Sequence, residues 1–249
     1  MTLAPAAFRY SGSKRRLVSK YPVGFEPGDR LVELYLGSGA YSIHHSKNKA
    51  IGYEINKDLY SIWDWLHGAS VQNIQDIGTL WSEIQKYGEK TDLRELDHIP
   101  RGAMNYLRVN ISGLMVGQLS SWISYPQHNL PWQSTIACLE RIKEIQVFHK
   151  DGLSHVEEKG DFFFLDPPYV GTSANYMDKS SKTDLTAKYD PRDTVHFLNG
   201  VKGKWLMTYG DGCQEIFPEY NWIKAAEKKV PLVRTGGIKI RGEWYACNY

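Results

Sequence analysis

The sequence predicts an α/β protein built on a mostly parallel sheet, and three observations carry that prediction. Short apolar runs bounded by Gly, Pro, Asn or Asp recur along the chain, the pattern of buried strands. Stretches with helical character lie between them, which places helices on the faces of a parallel sheet. The first apolar run leads straight into a glycine-rich turn at Gly37-Ser38-Gly39, as a strand does before a helix.

Taken in order, the strand candidates are Arg30–Leu36, Ala50–Ile55, Ile145–Phe148, Phe162–Leu165 and Lys204–Tyr209. Helical character falls at Asp58–Leu66, Ile74–Lys86 and Thr135–Lys143. From Glu54 to Val147 there are about ninety residues, against the ~30 of a simple βαβ unit. The spacing therefore predicts a small, mostly helical subdomain over 57–144, inserted in a main domain made of 1–56 and 145–249. Its polar middle, Asn110–Gln133, has no clear period. At the other end, Lys228–Thr235 and Ile238–Tyr249 flank Gly236-Gly237, a turn signal for a β-hairpin that would close the sheet with an antiparallel pair.

The 249 residues include 30 basic and 28 acidic side chains, a net charge of +2, and 42% are hydrophobic. This length suits one large domain or a domain with a sizeable insertion. No apolar run approaches the ~18 residues of a membrane span, and Met1–Tyr10 lacks the pattern of a secretory signal. The expectation is a cytoplasmic protein with no membrane partner. Cys138, Cys213 and Cys247 are odd in number and far apart, and the eight histidines show no ligand spacing, so neither a disulfide framework nor a metal site is expected. A near-zero net charge excludes a globally polybasic nucleic-acid binder and leaves only a local basic face to look for.

Two patterns carry chemistry. In Glu33-Leu34-Tyr35-Leu36-Gly37-Ser38-Gly39, Gly37 and Gly39 allow a sharp turn and a close approach that a Cβ would prevent, although an ordinary strand-to-helix turn reads the same way. Glu54 closes the next strand, where doubly wound sheets place a carboxylate that accepts from ribose hydroxyls. The pair suggests an adenosine cofactor. A third glycine is missing, which favours one without pyrophosphate, such as S-adenosylmethionine, over a nicotinamide dinucleotide.

The second pattern is Asp166-Pro167-Pro168-Tyr169, directly after Phe162–Leu165 and so at the strand edge where open α/β sheets bind ligands. An exocyclic amine on adenine is a poor nucleophile because its lone pair is delocalised into the ring. Acceptors aimed at its two hydrogens favour the pyramidal geometry that attack on a sulfonium methyl requires. The Asp166 carboxylate and the Pro167 carbonyl can be those acceptors, on a turn made rigid by two prolines. Tyr169 offers a flat face on which a base lifted from the duplex can stack.

In these motifs the chain resembles the DNA adenine methylase (Dam) family of N6-adenine DNA methyltransferases, over nearly its whole length and in motif order. Tyr10-Ser11-Gly12-Ser13-Lys14 is similar to the family's aromatic-x-Gly-Gly-Lys, Glu33–Gly39 to its acid-Pro-Phe-x-Gly-x-Gly loop, and Glu54-Ile55-Asn56 to its Asp-Ile-Asn. Asp166–Tyr169 is its catalytic motif unchanged, and Arg241-Gly242-Glu243 with Asn248-Tyr249 is similar to its final strand. Ser13, Leu34 and Glu54 depart from the family's glycine, proline and aspartate.

The resemblance implies a Rossmann-like, S-adenosylmethionine-dependent methyltransferase sheet with target recognition in the insertion. It implies Asp166, Pro167, Pro168 and Tyr169 as catalytic residues. For the cofactor it implies Tyr10, Gly12, Lys14, Glu33, Gly37, Ser38, Gly39, Glu54, Ile55 and Asp166, together with Asp151, which reads equally as a solvated loop aspartate. Double-stranded DNA is the expected partner, bound by a monomer. A cognate restriction endonuclease can accompany it without being needed.

Lys228, Lys229, Arg234, Lys239 and Arg241 form an acid-free stretch on the expected hairpin, a candidate phosphate-contacting surface. Arg15 and Arg16 can contact phosphates or simply face solvent. In the insertion Arg101, Arg108, Asn110, Gln118, Gln127, His128, Asn129 and Gln133 are of types that read base edges; Arg108 and Asn110 join the DNA-binding candidates. A methyltransferase acting on RNA or protein amides, and a DNA-binding protein without turnover, are the alternatives.

Overall fold

The computed structural model describes residues 5–10, 12–45, 47–87, 98–111, 130–170, 177–178, 183–184, 189–231 and 238–249. Seven strands form the main sheet: β1 (Arg30–Glu33), β2 (Ala50–Tyr53), β3 (Gln146–Phe148), β4 (Asp161–Leu165), β5 (Lys204–Gly210), β6 (Ile223–Pro231) and β7 (Ile238–Cys247). They lie in the order 3-2-1-4-5-7-6. The first five are parallel to one another, and β7 runs antiparallel to both β5 and β6. Strand order reverses between β1 and β4, and a doubly wound sheet opens its ligand crevice at that point, beyond the carboxyl ends of the strands.

Side chains alternate across the sheet as the pleat requires. Leu31 of β1, Phe162 and Phe164 of β4 and Leu206 of β5 enter one core. Val32, Phe163, Leu165, Trp205 and Met207 enter the other. Burying an aliphatic or aromatic side chain of this size contributes about 1.5–3 kcal/mol. Because both faces are covered, β1 and β4 read as continuous apolar runs.

The helices are α1 (Ala40–His44), α2 (Lys57–Gly68), α3 (Val71–Tyr87), α4 (Arg101–Ile111), α5 (Trp132–Ala137), α6 (Leu139–Glu144), α7 (Pro191–Gly200) and α8 (Cys213–Ile216). The single helix expected over Thr135–Lys143 is split at Cys138 into α5 and α6. The hairpin is present, but β6 starts at Ile223, ahead of the expected Lys228. Helix formers in Lys224-Ala225-Ala226-Glu227 conceal its first half, where a register shift falls between Lys224 and Ala226. The turn residues Gly236-Gly237 and Arg234 lie outside the described residues.

One apolar core joins the sheet to the long connection between β2 and β3. Ile62, Trp63 and Leu66 of α2, Trp81 of α3 and Tyr106 of α4 share it with Leu31, Tyr41 and Phe164. Tyr41 stacks on Phe164 with ring centroids 4.0 Å apart. Helices α2 and α4 cross closely because Gly102 has no Cβ; one added there would meet the Ser61 carbonyl at 2.2 Å. Asp58 of α2 accepts from Arg101 at 2.9 Å and from Asn105. No helix among the described residues is long and apolar enough to cross a membrane.

Candidate active site

A cleft of about 360 Å³ opens at the switch point between β1 and β4, within the range of small-molecule sites. Ten of the eleven residues expected at the cofactor line it: Tyr10, Gly12, Lys14, Glu33, Gly37, Ser38, Glu54, Ile55, Asp151 and Asp166. Gly39 lies behind the wall. It caps α1 at φ 62°, and a Cβ there would meet the Trp63 ring at 2.6 Å. The turn is held by backbone contacts: Trp63 Nε1 donates to the Gly37 carbonyl at 2.9 Å, and Ala7 N to the Ser38 carbonyl at 3.0 Å.

Two buried carboxylates frame this end of the cleft. Glu33, 2% exposed, accepts from Ser42 N at 2.6 Å. Glu54, 7% exposed, accepts from Gly37 N at 3.1 Å and Asn56 N at 2.8 Å. Burial pushes both up to about 7, against the pull of those N–H donors, because a charge in a low-dielectric site is costly. Ile55, 51% exposed, adds an apolar wall. Asp151 is exposed, caps a short turn through Leu153 N at 3.0 Å and lines the cleft.

The other end is built around Asp166, one residue beyond β4. Lys14 Nζ lies 2.9 Å from Asp166 Oδ1 and 3.6 Å from Glu243 Oε2, and donates to the Tyr169 hydroxyl at 2.6 Å. Tyr169 in turn donates to Glu243 at 3.2 Å, and Thr208 Oγ1 to Asp166 Oδ1 at 3.0 Å. Burial pushes the Asp166 carboxyl above the usual aspartate range, with Lys14 pulling the other way. Burial also works against the Lys14 charge, but Asp166 and Glu243 outweigh it and hold the ammonium above the ordinary lysine range.

The Tyr169 ring packs on Tyr209 at 4.5 Å between centroids. Tyr209 OH accepts from Val170 N at 2.8 Å, which secures the far side of the turn. Gly210 makes room for the ring, since a Cβ there would lie 2.9 Å from it. Of the tetrapeptide, Asp166 and Pro168 line the cleft, while Pro167 is buried and Tyr169 half-buried beside it.

Lys14, expected at the cofactor, is therefore bonded to the Asp166–Tyr169 turn. Thr208, Tyr209 and Glu243 escaped notice as site residues because they belong to β5 and β7, remote in sequence. Their signal is topological. Antiparallel β7 pairs Glu243 with Gly210, which carries the glutamate to the edge where the parallel strands end.

Among the DNA-binding candidates, Asn110 is turned inward. It is 4% exposed, its Oδ1 accepts from Arg9 N at 2.8 Å, and its Nδ2 donates to the Tyr106 carbonyl at 2.7 Å. The Oδ1 end of the amide ties the amino-terminal segment to α4 and the Nδ2 end is satisfied within α4, so Asn110 is not presented to a base. Arg108 and Arg15 are half-buried; Arg16 and Arg241 are exposed. Lys228, Lys229 and Lys239 occupy paired positions of the hairpin, Lys228 opposite Arg241 and Lys229 opposite Ile240. Gln118, Gln127, His128 and Asn129 lie outside the described residues.

A sheet of this order, with a glycine turn and two buried carboxylates at its switch point and Asp-Pro-Pro-Tyr at the next strand end, defines a Rossmann-like S-adenosylmethionine-dependent methyltransferase. The chain belongs to the D12 class N6 adenine-specific DNA methyltransferases, whose family model matches residues 10–230. No curated protein matches it.

Among solved structures, the C-terminal domain of precorrin-6Y C5,15-methyltransferase from Rhodobacter capsulatus is similar at 10% identity and TM-score 0.42, all of each chain being covered. A conserved hypothetical protein from Streptococcus pyogenes is similar at 13% and 0.38, with 90% of this chain and 89% of that one covered. A dimethyladenosine transferase from Plasmodium falciparum is similar at 9% and 0.38, over 93% and 60%. At such scores the likenesses are faint, and membership rests on the family match.

The methyl donor is S-adenosylmethionine, and the cleft fits it. It presents two buried carboxylates, Glu33 and Glu54, that could accept from ammonium or hydroxyl hydrogens, the apolar Ile55 that could face a purine ring, and at Gly37 a space that a Cβ would fill at 3.2 Å from Tyr10.

Proposed function

We propose that this adenine DNA methyltransferase acts at a short specific sequence of duplex DNA in the cytoplasm, as a monomer, on a target adenine flipped from the helix. The observation that supports this most is the placement of Asp166 at the cleft, across from the buried carboxylates that suit the cofactor. Bound S-adenosylmethionine supplies an electrophilic methyl group there.

The chain's own residues do the rest. Asp166 and the Pro167 carbonyl accept hydrogen bonds from the adenine amine and direct its lone pair towards the methyl carbon. Tyr169, wedged between Tyr209 and Gly210, is a preset stacking face, so little side-chain freedom is lost on capture of the base. The amine becomes acidic only after transfer, so its proton leaves to solvent and no general base is needed. Arg16, Arg241 and the hairpin lysines are the phosphate contacts, and the connection between β2 and β3 carries sequence recognition.

The test is transfer of labelled methyl from S-adenosylmethionine to unmethylated genomic DNA, with nucleoside analysis and mapping. The expected result is N6-methyladenine at one short recurring sequence. Label in RNA or in protein instead would overturn the reading.

A further inference from the structure

Resting on the N6-methylation reading, the cluster at the acceptor end has a charge balance with a consequence for the transition state. Lys14 sits between Asp166, at 2.9 Å, and Glu243, at 3.6 Å, and the Tyr169 hydroxyl bonds to both Lys14 and Glu243. Lys14 and Asp166 alone form a neutral pair. When the amine's lone pair bonds to the methyl carbon, the carbon–sulfur pair returns to sulfur and the positive charge passes to nitrogen, which then loses a proton to solvent. A neutral pair does little for that charge. A third group of charge −1 does more, because Lys14 is buried and Asp166 and Glu243 are only 20% and 18% exposed, which weakens screening by water.

We propose that Glu243 is a positioning residue that gives the cluster its net negative charge and holds Lys14 in place against Asp166. The arrangement also orients the catalytic carboxylate. Among the described residues both donors to Asp166, Lys14 Nζ and Thr208 Oγ1, fall on Oδ1, which leaves Oδ2 to the incoming amine. Glu243 comes from the β6–β7 hairpin, so the antiparallel strand next to β5 takes part in the reaction through its charge. Ordinary hairpin packing does not require an acid at this place; the neighbouring Trp244 and Tyr245 already pack against the two cores.

The experiment compares wild type, Glu243→Gln, Glu243→Asp and the double variant Lys14→Gln/Glu243→Gln at saturating S-adenosylmethionine and DNA. Glu243→Gln leaves a neutral cluster, and kcat for N6-methyladenine formation falls about tenfold, the part of a unit charge's energy in an effective dielectric of about 20 that changes when the cation passes from sulfur to nitrogen. Glu243→Asp keeps most of the rate. The double variant returns the net charge to −1 through Asp166 and is several-fold faster than Glu243→Gln.

Calorimetry adds a readout that does not need turnover. Affinity for neutral S-adenosylhomocysteine stays within twofold in Glu243→Gln, while the preference for the cationic S-adenosylmethionine over it declines, and the double variant regains that preference. A Glu243→Gln enzyme with wild-type kcat, or a double variant no faster than Glu243→Gln, would overturn the proposal with the methyltransferase reading intact. A wild-type enzyme that forms no N6-methyladenine would sink that reading, and this proposal with it.

Discussion

The two ends of the cleft are made in different ways. The end we assign to the cofactor is built from neighbours in sequence: Glu33 at the end of β1 with Gly37 and Ser38 on the turn after it, and Glu54, Ile55 and Asn56 after β2. Its polar groups are satisfied by main-chain donors, Ser42 N on Glu33 and Gly37 N and Asn56 N on Glu54. The acceptor end is a cluster of side chains, Lys14, Asp166, Tyr169, Thr208 and Glu243, drawn from four distant parts of the chain. A main-chain cradle tolerates changes of side chain but not of backbone space. A side-chain cluster has the opposite sensitivity, and each end can be broken without the other.

The hardest break at the cofactor end is Gly152→Ala. A Cβ on Gly152 would meet the Leu34 carbonyl at 2.1 Å, and main chain cannot step aside, so we expect a loss of about 3 kcal/mol in stability and weakened cofactor binding. Thermal melting and calorimetry with S-adenosylmethionine check it.

At the acceptor end, Tyr169→Ala removes a stacking surface of the kind worth about 1–3 kcal/mol per base. DNA kcat/KM should fall by about tenfold to a hundredfold while cofactor affinity stays within twofold. A parallel loss of both would mean that the two ends are not separable.

Titration sharpens the contrast further. Glu33 and Glu54 are raised from 4.5 to about 7, so between those values the folded protein binds protons that the unfolded chain has released. Stability of the cofactor-free protein from these two groups therefore falls as pH rises from about 4.5 to 7, on the order of 3 kcal/mol for each group. Cofactor affinity moves the other way and tightens as the carboxylates ionise. The Glu33→Gln/Glu54→Gln variant should flatten the melting-temperature decline over that window, and an unchanged slope would contradict the assignment.

The smallest effect is expected outside the cleft. Arg241→Ala, an exposed change on β7, should weaken DNA binding a few-fold, lower the salt-dependence slope by about 0.9, and leave kcat alone. Binding measured over a range of salt concentrations tests it.

The same contrast explains what the sequence disclosed. Strands β1 to β5, the Gly37–Gly39 turn, Glu54 and the Asp166–Tyr169 tetrapeptide are local patterns that apolar period and turn chemistry locate, although β1 ends at Glu33 and β2 at Tyr53, short of the expected Leu36 and Ile55. Thr208 has no local mark, and Glu243 has only that of a strand. They reach the site through strand order and antiparallel register, as with Glu243 opposite Gly210, and neither quantity is written in a short window. Asn110 misled for the converse reason: its type suits a base reader, but the partners that consume its amide, Arg9 and the Tyr106 carbonyl, are set by packing. The first half of β6 was concealed by residues that favour helix, which pairing with β7 overrides.

The central claim is that the Asp166 end performs the chemistry on a target amine while the Glu33 and Glu54 end holds the cofactor. The most direct test is Asp166→Ala, assayed together for calorimetric binding of S-adenosylmethionine and for N6-methyladenine formed in unmethylated duplex DNA. The account predicts cofactor binding of the same order as wild type with methyl transfer reduced to background. Near-normal methylation by this variant would contradict it.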